Sequence, residues 1–241
     1  MQLPLNIRWN AAADLERFVA GENALAARLV AQLAEGERPA PALLLHGPAG
    51  IGKSHLLQGA CRSVTGRGGL AVYLPFEQLL EHGPAMLEGL ERAELLALDE
   101  LDALAGYEDW QDAVFYLFNR AYESGCALLL AARQPPAQLP LALPDLRSRL
   151  SWGVVVEMLP PGEATCLEIL HQRAGERGLE LPAATARYLI RRVPRQLPGL
   201  LELFDELDRA SLAAGRRLTV PFVREILSAR LSPGGDTPSQ T

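Results

Sequence analysis

Five short apolar runs punctuate the first two thirds of the chain, at residues 42–45, 70–74, 94–98, 127–132 and 154–157. Runs of this length, bounded by Gly, Pro or charged residues, read as strands buried on both faces. Between them the apolar period changes to that of a helix. Leu25, Leu29 and Leu33 line one face of 24–33, and an amphipathic run follows residue 53. Residues 76–93 look helical but are broken by Gly83-Pro84. Residues 109–123 carry a wide apolar face (Trp110, Val114, Phe115, Leu117, Phe118, Tyr122) and stop at Gly125. These aromatics suit a core face, with a base-stacking platform as the alternative.

Strands alternating with helices predict a doubly wound parallel sheet, with its ligand at the C-terminal strand edges. Pro160-Pro161-Gly162 marks a boundary, and no strand-like run follows it. Four helices fit the remainder, at 163–176, 183–193, 198–213 and 220–230, with Thr219 as the last N-cap and Gly178 and Gly215 as stops. The expected organisation is a separate N-terminal peptide over 1–10, an α/β domain over 11–159, an all-helical lid over 160–231 and a disordered polar tail over 232–241.

The candidate chemistry sits where the sheet prediction puts it. The first strand runs into Gly47-Pro48-Ala49-Gly50-Ile51-Gly52-Lys53-Ser54, which fits G-x-x-x-x-G-K-[ST], and His55 follows. Glycines let successive backbone N–H groups face one concavity, and the next helix adds its positive end. Lys53 would reach the β and γ phosphates of ATP or ADP, and the Ser54 hydroxyl would ligate Mg²⁺. Lys53 is also the sole lysine among 23 basic residues, so a chain that otherwise uses Arg has its one compact ammonium here. The third run ends in Asp99-Glu100. Asp99 would hold Mg²⁺ and Glu100 would orient or deprotonate an attacking water.

Composition removes several alternatives. A net charge of −6 gives no bulk attraction for DNA or an anionic membrane surface. Residues 163–230 hold eleven Arg against nine acids, a balance unlike that of a non-specific DNA binder, so DNA contact is expected to be at most indirect. The apolar runs fall far short of a membrane span, and the N-terminus lacks the order of a signal peptide. Cys61, Cys126 and Cys166 are isolated, as expected of thiols in a reducing cytoplasm, and His46, His55, His82 and His171 suggest no metal cluster.

Phe18-Val19-x-Gly21-x-Asn23, the loop and helix start at 47–57, residues 146–153 (Leu-Arg-Ser-Arg-Leu-Ser-Trp-Gly) and Pro194-Arg195-Gln196-Leu197 together resemble the AAA+ ATPase part of the bacterial initiator DnaA. The similarity is closest to the Hda family of DnaA regulators, notably at 143–153, 207–211 and 218–223. It implies an AAA+ P-loop domain with a five-stranded parallel sheet, then a helical lid, without the helix-turn-helix domain of DnaA. Carried onto this sequence, Arg149 matches the arginine finger, Arg195 the sensor 2 arginine, and Arg133 the sensor 1 position, where DnaA has Asp. A cation there would pair with nucleotide phosphate or with Glu100 and slow intrinsic turnover. Gln2-Leu3-Pro4-Leu5-Asn6-Ile7 is similar to the family's sliding-clamp-binding motif, with Gln2, Leu3, Leu5 and Ile7 as anchors. Read without the family, residues 2–9 either pack back on the domain or dock in a partner's pocket.

The implied role is negative regulation of replication initiation. The protein would sit on the DNA polymerase III sliding clamp (β subunit) and stimulate hydrolysis of ATP bound to DnaA through Arg149, with a homo-oligomer as a further possibility. An autonomous AAA+ ATPase or helicase loader is the rival that Glu100 supports, and a DNA-binding adaptor is the one that the acidic charge opposes.

Overall fold

The computed structural model describes residues 13–37, 40–192 and 197–231, with side chains described as far as Ser228. The expected tail at 232–241 lies outside them. The chain divides between Pro160 and Pro161 into two compact units.

In the first unit, β1 (Ala42–His46), β2 (Ala71–Pro75), β3 (Leu95–Asp99), β4 (Ala127–Ala132) and β5 (Val154–Glu157) form one parallel sheet in the order β2-β3-β4-β1-β5. β1 is interior. Its residues 42–46 pair with Leu128–Ala132 on one side, and residues 43–46 pair with Val154–Glu157 on the other. The apolar runs are continuous because both faces are covered. Leu44, Leu96, Leu98, Leu128 and Leu130 share a core with Trp110, Val114, Leu117 and Phe118 of one helix (Glu108–Ser124) and with Leu146 and Leu150 of another (Pro144–Leu150). Alternate residues Leu43, Leu45, Leu95, Ala97, Leu129 and Ala131 face the other way, onto Val30 and Leu33 of α1 (Ala24–Ala34) and Leu56, Leu57 and Ala60 of α2 (Lys53–Gly66). Period-2 side chains thus feed two cores from one strand.

Three local readings change. Residues 76–93 hold only α3 (Phe76–Leu79) and three 3-10 turns, because Gly83, at φ 85°, and Pro84 break the run. Trp110 and Phe118 of α4 (Glu108–Ser124) are core residues, whereas Tyr122 is 47% exposed. Residues 144–150 form a helix, α5 (Pro144–Leu150), in a stretch to which the apolar pattern assigns no element. Pro144 is preorganised for a first turn and Asp145 complements its dipole, while Leu146 and Leu150 are buried one turn apart. Seven residues are too few for that period to stand out in sequence.

The second unit consists of α6 (Glu163–Glu176), α7 (Ala183–Arg192), α8 (Leu197–Ala214) and α9 (Val220–Leu231). They surround a core that includes Leu170, Leu189, Leu203, Phe204, Leu207 and Phe222. Arg173 donates to both carboxylate oxygens of Asp205, at 3.1 and 2.9 Å, and Arg177 bridges Asp205 and Asp208, each at 2.8 Å. This paired fork fixes α6 against α8.

At the start of β5, a Cβ added to Gly153 would overlap the backbone of Ala42, including its carbonyl oxygen. β1 and β5 approach there only because residue 153 has no side chain. Gly153→Ala should therefore cost about 1–3 kcal/mol. Thermal unfolding followed by circular dichroism checks this. A lower melting temperature is expected, and an unchanged one would show that the strands yield freely.

A phosphate-type loop at one sheet edge and an arginine at the other

β1 ends at His46 and the chain turns through Gly47, Pro48, Ala49, Gly50, Ile51 and Gly52 into α2. Gly47 has φ 146°, and a Cβ there would strike Met158 O and the Ile51 side chain, so the curl needs glycine on two counts. α2 begins at Lys53, and its first-turn N–H groups have no intrahelical partner. A helix of 14 residues that starts from such a loop presents the kind of terminus that suits an anion. Lys53 is 8% exposed, and its ammonium donates to Gly47 O at 2.6 Å and Pro48 O at 2.7 Å. Burial lowers its pKa, opposed by the nearby carboxylates of Asp99 and Asp102. Ser54, half-buried, follows it on the same first turn.

Asp99 closes β3 at the same edge and is buried. Its Oδ2 accepts the Tyr73 hydroxyl at 2.7 Å, and its Oδ1 accepts the Glu100 N–H at 2.9 Å. Burial, reinforced by the Asp99 charge, holds the Tyr73 phenol un-ionised. Glu100 has φ 60°, the one non-glycine residue with positive φ among those described. Such a backbone costs of order 1 kcal/mol or more and marks a position held for its side chain. Glu100 Oε2 is buried without a hydrogen-bond partner among the described residues. Its carboxyl is pushed up to about 7 by burial and then by the charges of Asp99 and Glu77, the range in which a carboxylate serves as a base near neutral pH.

Arg133, directly after β4, takes a partner that was not expected. Its guanidinium pairs with Glu77 of α3 at 2.9 Å, rather than with Glu100, and its backbone N–H donates to Asp102 Oδ2 at 2.6 Å. Glu77 follows the end of β2 by two residues and Asp102 the end of β3 by three. Their place at this edge is visible in the sequence; which acid takes Arg133 is not.

The segment before α1 is tied to the same edge. The Phe18 ring lies over Gly52 and 5.7 Å from His55. His55 Nε2 is 3.0 Å from Asp14 O, so its ring braces this segment, and only its backbone N–H at the start of α2 faces the role expected of it. Asn23 is buried and clamps Leu159 from both sides, donating to Leu159 O at 2.9 Å and accepting from Leu159 N at 2.8 Å.

Arg149 lies elsewhere. Its guanidinium sits 4.3 Å from the Trp152 ring centre, and Trp152 contacts Tyr122 at 4.9 Å between centroids. Trp152 precedes Gly153, which abuts Ala42, the first residue of β1; Tyr122 lies in the last turn of α4, just before β4. Both mark the strand-start edge. The loop at Gly47 is at the other end of β1, about 17 Å away at roughly 3.3 Å per residue. Of the sequence-identified residues, Gly47–Ser54, Asp99 and Glu100 therefore assemble at one edge, and Arg149 is separate from them. Gln2, Leu3, Leu5, Ile7 and Arg195 lie outside the described residues. Sequence reasoning missed Tyr73, Glu77, Asp102, Tyr122 and Trp152, whose roles arise from neighbours far away in the chain.

No group of three or more His, Cys, Asp or Glu among the described residues could hold a metal ion, and no helix among them is long and apolar enough to cross a membrane. The glycine cradle, the buried ammonium and the helix terminus fit a polyphosphate.

Residues 9–157 match the bacterial DnaA ATPase domain family, and residues 163–227 match the Hda lid domain. Domain III of the Thermotoga maritima replication initiation protein DnaA superposes with a TM-score of 0.83 at 22% identity, over 94% of this chain and 100% of that one. AMPPCP-bound DnaA from Aquifex aeolicus gives 0.69 at 28% identity, over 83% and 67%. The Thermotoga maritima RuvB Holliday junction branch migration motor shares the fold, at 0.65 and 20% identity over 86% and 67%. With its parallel five-stranded sheet and matching helical unit, the chain belongs to the bacterial DnaA ATPase domain family, as an AAA+ protein with an Hda-type lid.

Proposed function

We propose that this protein is a clamp-bound AAA+ regulator that binds an adenine nucleotide and stimulates hydrolysis of the ATP carried by DnaA, converting the initiator to its ADP form. The observation that carries the reading is the position of Arg149 on the sheet edge opposite its own loop, half-exposed and away from its own phosphates. A guanidinium so placed serves a nucleotide on a neighbouring subunit. Charge builds on the γ-phosphoryl oxygens during hydrolysis, and a planar donor fork meeting it there stabilises the transition state more than the ground state.

The chain's own nucleotide, ADP or ATP, has a separate place. Gly47–Gly52, Lys53, the N–H groups of Ser54 and His55 and, from the family pattern, Arg195 would hold it, with Ser54 and Asp99 toward Mg²⁺. Its phosphates supply the anion that this edge is shaped for. The AMPPCP in the Aquifex aeolicus relative supports an adenine nucleotide. Residues 2–7 would dock on the sliding clamp as an extended peptide.

One observation favours a second reading, an autonomous ATPase. Glu100 is held with a buried carboxylate oxygen and a pKa suited to a base. Hydrolysis by this chain alone, measured beside the DnaA reaction, separates the two. Fast turnover without DnaA supports the motor, and dependence on DnaA and loaded clamp supports the regulator.

Lys53→Ala should abolish ADP and ATP binding in calorimetry. The mutant should also lose the nucleotide-dependent rise in melting temperature, about 2.7 kcal/mol at a hundredfold excess over Kd. Equal affinity in mutant and wild type ends the phosphate-loop assignment. Deleting residues 2–7 should remove clamp binding in a pull-down and leave nucleotide affinity unchanged; retained clamp affinity would assign that peptide to the domain instead.

Arg149→Ala should keep nucleotide and clamp binding yet fail to stimulate DnaA, a loss of ~10³-fold or more. Arg149→Lys should fail nearly as badly, since an ammonium lacks the planar fork. The ADP fraction on DnaA after incubation with loaded clamp is the readout, and full activity of Arg149→Ala rules out the finger in trans.

A further inference from the structure

Trp152 and Tyr122 are large aromatics left 47% exposed beside a sheet whose other large residues are mostly buried. They are 4.9 Å apart at a tilt of 44°, and the Arg149 guanidinium lies over the Trp152 ring. The three residues come from the last turn of α4, the last turn of α5 and the link into β5. No acceptor among the described residues takes an N–H of the Arg149 guanidinium.

A cation held by a ring face differs from one held by a carboxylate. The ring covers one face of the guanidinium and leaves the N–H donors on its rim available. A carboxylate would occupy those donors and have to be displaced. The stack also removes rotamer freedom that a long Arg side chain otherwise loses only on reaching its target. Arg147, two residues earlier on α5, has no aromatic partner among the described residues and provides an internal comparison.

We propose that Trp152, backed by Tyr122, is a positioning residue that presents the Arg149 guanidinium, extended and with its donor edge free, to a phosphate on a neighbouring subunit. This rests on the trans-acting role of Arg149 proposed above. Trp152 touches no reacting atom and acts only through Arg149. The requirement is for an aromatic face and not for apolar bulk.

The test uses the full chain with DNA-loaded clamp and ATP-bound DnaA, titrating Trp152→Phe, Trp152→Leu, Trp152→Ala, Arg147→Ala and Arg149→Ala. Trp152→Phe and Arg147→Ala should stay near the wild-type rate. Trp152→Leu and Trp152→Ala should lower the maximal rate roughly two- to fivefold, the size an exposed cation–π contact reaches, with the half-maximal concentration unchanged. Independently of any partner, the NMR signal of the Arg149 Nε–H should be shifted upfield by the ring, retained in Trp152→Phe and lost in Trp152→Leu. Wild-type rates for Trp152→Leu and Trp152→Ala beside an inactive Arg149→Ala would overturn the positioning role and leave the finger standing. A raised half-maximal concentration at unchanged maximal rate would also overturn it, making Trp152 a docking contact. An active Arg149→Ala removes both.

Discussion

All five strands run in one direction, and the other features of the first unit follow from that constraint. β1 is interior to the sheet and hydrogen-bonded along both sides, so its end can be neither an edge nor a hairpin. The chain must leave it through a loop at the same rim where β3 and β4 end. Gly47, Asp99 and Arg133 each stand at or just past a strand end, which is why residues far apart in the chain meet there. Every connection must then return along a face, and the returning helices bury both sides of the sheet.

That rim concentrates charge at a cost that the local structure offsets. Asp99 is buried, yet both its oxygens are satisfied, one by a tyrosine hydroxyl and one by the next backbone N–H. Lys53 is buried against two carbonyls of its own loop. Glu100 is the exception, with a strained backbone, an unpartnered buried oxygen and a pKa near neutrality. Strain and unsatisfied polarity coincide at this one residue, a combination that clusters at functional positions. Arg133 and Glu77 balance one another in solvent, where an ion pair contributes little to folding, so their pairing settles where the Arg133 cation lies more than how stable the sheet is.

The same direction of strands separates two sets of groups. Those suited to hold phosphate lie at the strand ends; the arginine over its aromatic pair lies at the strand starts. No side chain spans that distance, so Arg149 stands clear of its own loop.

The sequence by itself determined the local parts. Five apolar runs, the G-x-x-x-x-G-K-S loop, the Asp-Glu strand end and the helices of the second unit are written in periods of two or 3.6 residues and in turn chemistry, all short-range. A helix of only seven residues at 144–150 escaped because its period barely repeats. Tertiary structure alone decided the pairings. Arg133 meets Glu77 across 56 residues, Asn23 clamps Leu159 across 136, and Tyr122 of α4 supports Trp152 in the link before β5. Each depends on the order β2-β3-β4-β1-β5, which differs from chain order because long-range packing of both faces, and not local propensity, selects which parallel strands become neighbours.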